Sequence, residues 1–206
     1  MITREKRIEK DSLGKMEIPS KAYYGIHSLR SLNNFPLSEE KTNPQFIKAY
    51  LQVKLAAVTT NVKAGLISKQ KSELIINAID DLLQETESAI DGKSLTIYEK
   101  IIVDPYQGGA GTSLNLNINE VIANKALELA GKNFGDYEFI HPIDDVNLSQ
   151  STNDTYITAL KIASINLLRK LTESFALLQG KLQEKEKEFG GTIKLGRTQL
   201  QDAVPV

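Results

Sequence analysis

From Thr155 to Phe189 the chain runs without a proline and with one internal glycine, Gly180. Leu160, Leu167, Leu168, Leu171, Phe175, Leu178 and Leu182 make an apolar stripe along this stretch. Its roughly 34 residues far exceed the average globular helix of about 10–14. A helix of that length with such a stripe is stable only when several neighbours cover it, so the pattern predicts a mainly α fold with a long bundle helix.

Shorter helical patterns precede it. Asn43 followed by Pro44 is an N-cap with proline at the first helical position. Phe46, Ile47, Tyr50, Leu51, Val53, Leu55 and Val58 continue at helical spacing, predicting a helix over 44–67. Ser68 opens a second, with Leu74, Ile75, Ala78, Ile79, Leu82, Leu83 and Ile90 on one face and Gly92 as its stop. The two are expected to pack as a pair. Thr112 or Ser113 is expected to cap a third, which carries Leu116, Val121, Ile122, Ala126 and Leu127 and ends at Gly131. Residues 1–42, punctuated by Gly14, Pro19, Gly25 and Pro36, show no sustained period and read as irregular, and Tyr137–Ile140 reads as extended. The division expected is an N-terminal, mostly helical domain over 1–142 and the beginning of a central helical bundle over 143–206.

Composition narrows the function. With 25 basic and 26 acidic residues there is no net field to recruit nucleic acid or an anionic membrane. Cysteine is absent, so neither a disulfide framework nor a thiolate metal site is available, and a reducing, cytoplasmic compartment is expected. No stretch reaches the about 18 apolar residues of a membrane span. His27 and His141 are the only histidines, too isolated to suggest a metal, and read as hydrogen-bonded structural residues. A small-molecule partner remains open.

Three polar clusters, read as lying at helix boundaries, supply the chemistry for one: Gly108-Gly109-Ala110-Gly111-Thr112-Ser113, Ser151-Thr152-Asn153-Asp154 and Gly196-Arg197-Thr198-Gln199. Short hydroxyls, amides and backbone N–H groups at helix starts bind an anion without becoming an acid that would protonate it. Each cluster alone has a plainer reading. The first is a flexible loop and cap, with no lysine after Gly111 to make a phosphate loop. The second is an N-cap for the long helix. Arg197 fits a substrate carboxylate or a structural ion pair with Asp202 or Glu120.

The wording around the clusters resembles the aspartase/fumarase superfamily. The matching stretches are Asp104-Pro105-Tyr106-Gln107-Gly108 running to Glu120, His141-Pro142-Ile143-Asp144-Asp145-Val146-Asn147 running into Ser149–Asp154, and Gly196–Ala203. Ala22-Tyr23-Tyr24-Gly25-Ile26, Arg30 and Asn34-Phe35 add to the likeness. The resemblance implies an all-helical body and reversible deamination of L-aspartate to fumarate and ammonia through an aci-carboxylate dianion. It assigns substrate contacts to Thr112, Ser151, Thr152, Asn153, Thr198 and Gln199, with no cofactor and no metal. Gln199 stands where fumarases usually carry histidine, which favours the aspartase branch over a class II fumarate hydratase, the enzymatic alternative. Ile143 replaces the family's asparagine and Ile157 its proline, and Ile143 makes a second anion site of the fumarase kind doubtful. The loop bearing the family's catalytic serine falls beyond Val206, so the resemblance places no base in this chain. The 206 residues alone are expected to be inactive, whether part of a longer enzyme or a truncated product acting only as an interaction partner.

Geometry adds a constraint of its own. A straight helix over 155–189 is about 50 Å long, and the nine residues from Phe189 to Thr198 reach at most about 30 Å. Thr198 therefore cannot return to Ser151 within one subunit. Either the clusters serve separate purposes or a site is assembled from several chains. The superfamily builds its sites from three subunits of a homotetramer, and the resemblance implies the same here.

Overall fold

A computed structural model describes residues 5–38 and 40–206. Two compact units divide the chain, Met1–Ser164 and Ile165–Val206. The mainly α class is observed, in five helices, α1 Ile26–Asn34, α2 Pro44–Lys63, α3 Lys69–Ile90, α4 Thr112–Leu129 and α5 Thr152–Phe189, with two β-hairpins beside them, β1 Lys6–Asp11 with β2 Gly14–Pro19 and β3 Leu195–Thr198 with β4 Gln201–Pro205.

The expected helix pair forms the core of the first unit. The Asn43 side chain accepts from the Gln45 amide at 2.9 Å, and the Ser68 hydroxyl accepts from the Lys71 amide at 3.3 Å, so both caps satisfy an otherwise orphaned N–H. α2 ends at Lys63, short of the expected 67, because Gly65 closes it. The Leu66 N–H reaches back to the Asn61 carbonyl and the Gly65 N–H to that of Val62, a Schellman ending. α3 and α4 finish with the same pair of bonds at Gly92 and Gly131. α4 packs against both α1 and α3, and Ile118, Ile122, Ala123, Ala126 and Leu127 are fully buried there.

Three local expectations are corrected. Residues 6–34 are not irregular but form the β1–β2 hairpin and α1; residues 1–4 of the expected irregular segment lie outside the described residues. The hairpin turns at Ser12-Leu13, where the Asp11 carboxylate accepts from the Leu13 amide at 2.9 Å. Arg7 then holds the following segment through the carbonyls of Pro19, Ser20, Ala22 and Tyr24. The second correction concerns Tyr137–Ile140, which is turn rather than extended, since Asp136 accepts from the Phe139 and Ile140 amides. The third is that Gly111, not Thr112 or Ser113, is the N-cap of α4, and it makes no side-chain cap bond.

A buried carboxylate locks α1 to α4. The Glu120 side chain is fully buried and accepts from the backbone N–H groups of Gly25, His27 and Ser28, from the Ser28 hydroxyl and from His27 Nδ1. It thereby caps the start of α1 from another helix. A Cβ on Gly25 would lie 2.6 Å from Tyr137 Oη and 2.7 Å from Glu120 Cδ, so only glycine allows this approach. Bonding to Glu120 raises the pKa of His27. Both histidines are hydrogen-bonded within the fold: His141 Nδ1 accepts from the Ile143 and Asp144 amides and caps the π-type turn Pro142–Val146.

In the second unit, the part of α5 from Ile165 onward exposes Leu167, Leu168, Leu171, Phe175, Leu178 and Leu182. Lys181–Glu184 and Lys185–Glu188 pairs line its solvated end. Among the described residues no helix is long and apolar enough to cross a membrane.

Candidate active site

The first two polar clusters meet where α4 and α5 begin. Gly111 holds φ +81°, in the left-handed region open to glycine, and a Cβ there would sit 1.9 Å from the ring of Tyr156. Two constraints thus select one residue, and the start of α4 lies directly on the first turn of α5. Thr112, the first residue of α4, is exposed beside it. Tyr156 packs edge-on to Phe46, with ring centres 5.0 Å apart, and to Tyr50 at 6.3 Å.

Ser151 and Thr152 take different parts at the start of α5. The Ser151 hydroxyl accepts from the Asn153 amide at 3.2 Å, the capping role the plainer reading gave it. Its side chain and that of Asn153 face solvent, and Thr152 is half-buried. Thr152 Oγ1 accepts from Asn115 Nδ2 at 3.1 Å, which ties the second cluster to the first turn of α4. Two helix starts, each with partly unsatisfied N–H groups and the positive end of its dipole, thus converge beside Thr112, Ser151, Thr152 and Asn153, an arrangement suited to an anion.

Beneath this surface lies a polar network that the sequence reading passed over. Lys54 is 1% exposed, and its Nζ donates to Asn115 Oδ1 and Asn147 Oδ1, both at 2.8 Å. The Tyr50 hydroxyl donates to Asn115 Oδ1 at 3.1 Å and meets Thr155 Oγ1 at 3.0 Å. Asn147 Oδ1 also accepts from Asn115 Nδ2 at 3.1 Å and Asn119 Nδ2 at 3.2 Å. Burial pushes the Lys54 pKa down from 10.5 to about 7. A signal for it existed: Tyr50, Lys54, Val58 and Asn61 are spaced 4, 4 and 3 apart on one face of α2, all buried, and Asn115, Asn117 and Asn119 alternate with Leu114, Leu116 and Ile118 in α4.

The third cluster is not at a helix boundary. Thr198 ends β3 and pairs with Gln201 of β4, leaving Gln199 and Leu200 as the hairpin loop at φ 52° and 66°. A two-residue loop with left-handed backbone at both positions usually places Asn or Gly there, so glutamine and leucine hold it under strain. The expected Arg197–Asp202 pair is present at 3.5 Å across the strands and is mostly exposed, which makes it worth little. Glu120, the other partner considered for Arg197, is already committed to α1. Both Thr198 and Gln199 belong to the second unit.

A cavity of about 690 Å³ lies elsewhere in the first unit, lined by Lys21, Tyr23, Tyr24, Thr96 and Lys100 among others and by none of the six residues expected to contact substrate. The α4–α5 junction, whose donors converge, and this hollow are separate places in the first unit.

Comparison with known proteins bears on the chemistry of that junction. A family model described as a lyase matches residues 14–206. The aspartate ammonia-lyase of Bacillus sp is 47% identical over 200 residues, covering 97% of this chain and 41% of that protein. That of Helicobacter pylori (strain ATCC 700392 / 26695) is 50% identical over 202 residues, with 97% and 41% covered. Among solved structures, a fumarate lyase:delta crystallin from Brucella melitensis in native form superposes with a TM-score of 0.85 at 46% identity, over 98% of this chain and 45% of the other. A recombinant class II fumarase from Schistosoma mansoni follows at 0.78 and 33% identity, over 98% and 40%. The chain spans about two fifths of the length of the curated relatives it matches.

Proposed function

Because the chain belongs to the lyase family whose model matches residues 14–206, we propose that it supplies the substrate-gripping part of an aspartate ammonia-lyase. The reaction is the reversible loss of ammonia from L-aspartate to give fumarate. A base takes a proton from C3, the electron pair moves into the neighbouring carboxylate to give an aci-carboxylate dianion, and the C2–N bond then breaks with release of ammonia. The demanding step is the gathering of charge on that carboxylate. Donors preorganised toward the oxygens stabilise it without reorganising during the reaction. Thr112, Ser151, Thr152 and Asn153 are assigned to the carboxylates and amino group, and the base is assigned to none of the residues of this chain.

One observation carries the reading: Asn115 bridges to Thr152 at 3.1 Å while Gly111 seats on Tyr156, so two polar clusters about forty residues apart in sequence meet at two helix starts. Thr198 and Gln199 complete the site from a neighbouring copy, in a homotetramer whose subunits bury the exposed stripe of α5 against one another. The strained φ of Gln199 supports a functional reason for its place in the loop. Gln199, with the aspartate ammonia-lyase relatives, favours aspartate over malate.

The test is fumarate release by an assembled protein carrying this sequence, supplied in turn with L-aspartate and malate. Thr152→Val is expected to lower kcat by about 10²–10³-fold while leaving the fold intact. Turnover of malate but not aspartate would make the protein a hydratase instead, and full activity of Thr152→Val would remove the site from this junction.

A further inference from the structure

Thr152 has a hydroxyl that can donate or accept, and only a donating hydroxyl helps to hold a carboxylate. What decides its direction is visible below it. Lys54 Nζ donates to both amide oxygens, Asn115 Oδ1 and Asn147 Oδ1, at 2.8 Å, with two protons when neutral and three when charged, so both oxygens face it. That settles which end of each amide is which. Asn115 Oδ1 is further held by Tyr50 at 3.1 Å, and its Nδ2 is left pointing at Asn147 Oδ1 and Thr152 Oγ1, each at 3.1 Å. Thr152 Oγ1 therefore accepts from Asn115. Its own proton meets no acceptor among the described residues and is free for a ligand at the helix starts. Asn147 is fixed in the same way, since its Oδ1 takes three donors and its Nδ2 donates to the Gln150 carbonyl at 3.0 Å, which secures the loop leading into α5.

We propose that Lys54 and Asn115 are positioning residues that orient the Thr152 hydroxyl as a donor toward the substrate carboxylate, the chain of polarity running from Lys54 through the Asn115 amide to Thr152. Neither touches the substrate. The proposal rests on the reading of Thr152 as a carboxylate donor and deepens it. Burial of an amine at this point is the cost of a fixed amide: a solvated asparagine could turn over, and the hydroxyl would then spend its proton on Asn115 Oδ1.

A double-mutant cycle tests it in an assembled, active protein, with steady-state kinetics on L-aspartate. Lys54→Met is expected to lower kcat/KM by about tenfold or more, the size of one misdirected hydrogen bond to a charged group, and to change it less than about twofold when Thr152 is already valine. Asn115→Asp is the second variant. It keeps an oxygen for Lys54 and places an opposite charge beside it, gives up the bond to Asn147 Oδ1, and replaces the donor facing Thr152 by an acceptor. The same loss is expected, again absent in the Thr152→Val background. Equal losses with and without the Thr152 hydroxyl would show a merely structural role and overturn the proposal, as would wild-type kinetics in Asn115→Asp. In the unaltered protein, the Asn115 side-chain amide protons should show a nuclear Overhauser contact to the Thr152 methyl and slow solvent exchange; an amide exchanging at the free rate overturns it without any variant. If the unaltered protein neither turns over aspartate nor binds succinate, the functional reading itself fails, and this proposal with it.

Discussion

α4 and α5 invert the usual rule in opposite directions. α4 buries Asn115, Asn117, Asn119, Glu120 and Asn124 together with its apolar residues, whereas α5, more than twice as long, buries only Thr155, Ala159 and Ala163 and exposes a row of leucines. The reason differs for each. All but one of the buried polar groups on α4 are engaged: Glu120 has five donors, Asn117 Oδ1 accepts from the Ile102 amide, and Asn124 bonds Tyr23, Tyr137 and Gly135. The exception, the Asn119 amide oxygen, has no partner among the described residues. Polar groups inside are tolerated when each is answered, and once answered they fix one geometry. The leucines of α5 from Ile165 onward are exposed within their own unit, an apolar stripe of a size that marks a contact surface.

Breaking the contrast at α5 should have the largest effect. Replacing Leu167, Leu171, Phe175 and Leu178 by glutamine removes four anchors worth roughly 1.5–3 kcal/mol each once buried. Sedimentation should then show dissociation to monomers, and an assembly unchanged in mass would mean that the stripe has no partner. At α4, Glu120→Ala orphans the backbone donors at the start of α1 and should cost about 3–5 kcal/mol in urea unfolding; a loss under about 1 kcal/mol would mean that the buried network does not hold α1 in place.

The smallest effect is a dependence on pH. Folded Lys54 loses its proton near pH 7 and unfolded lysine near 10.5. Between those values the unfolded state binds more protons, so stability rises with pH across the window, and below about 7 the full burial penalty is present. Tyr23, pushed up to about 12 by burial, and Tyr50, which burial also raises well above the ordinary tyrosine value, oppose the trend above about pH 10, where unfolded tyrosines begin to ionise. The comparison to make is therefore Lys54→Met against the unaltered protein from pH 7 to 9. The unaltered protein should gain stability relative to Lys54→Met over that range, and parallel curves would mean that Lys54 titrates normally.

How much of this was legible depended on the distance over which each feature is decided. The caps at Asn43 and Ser68 and the stops at Gly92 and Gly131 are contacts over two to five residues, and they were read correctly. The β1–β2 hairpin was missed because its strands carry almost no apolar alternation: Ile8 is 66% exposed, and the pair is held by Arg7 and by Arg30 bonding to Asp11 instead. The α4 cap was misplaced because Thr112 and Ser113 are good capping residues in isolation, while the ring of Tyr156, more than forty residues on, admits only glycine at position 111. Of the candidate site, the polar clusters on the surface could be read as donors, whereas Lys54 reads as one charged residue within an amphipathic helix until Asn115 and Asn147 are brought against it.

The sequence by itself determined the helices, most of their ends and the kind of chemistry their polar boundaries offer, because capping, periodicity and donor type are properties of neighbouring residues. The tertiary structure decided that two of those boundaries face each other, and that a buried amine and two amides set the direction of the bonds beneath them. Hydrogen-bond direction is a property of a closed network, and a network spanning α2, α4 and the loop before α5 leaves in any one stretch of chain only the spacing of its polar residues.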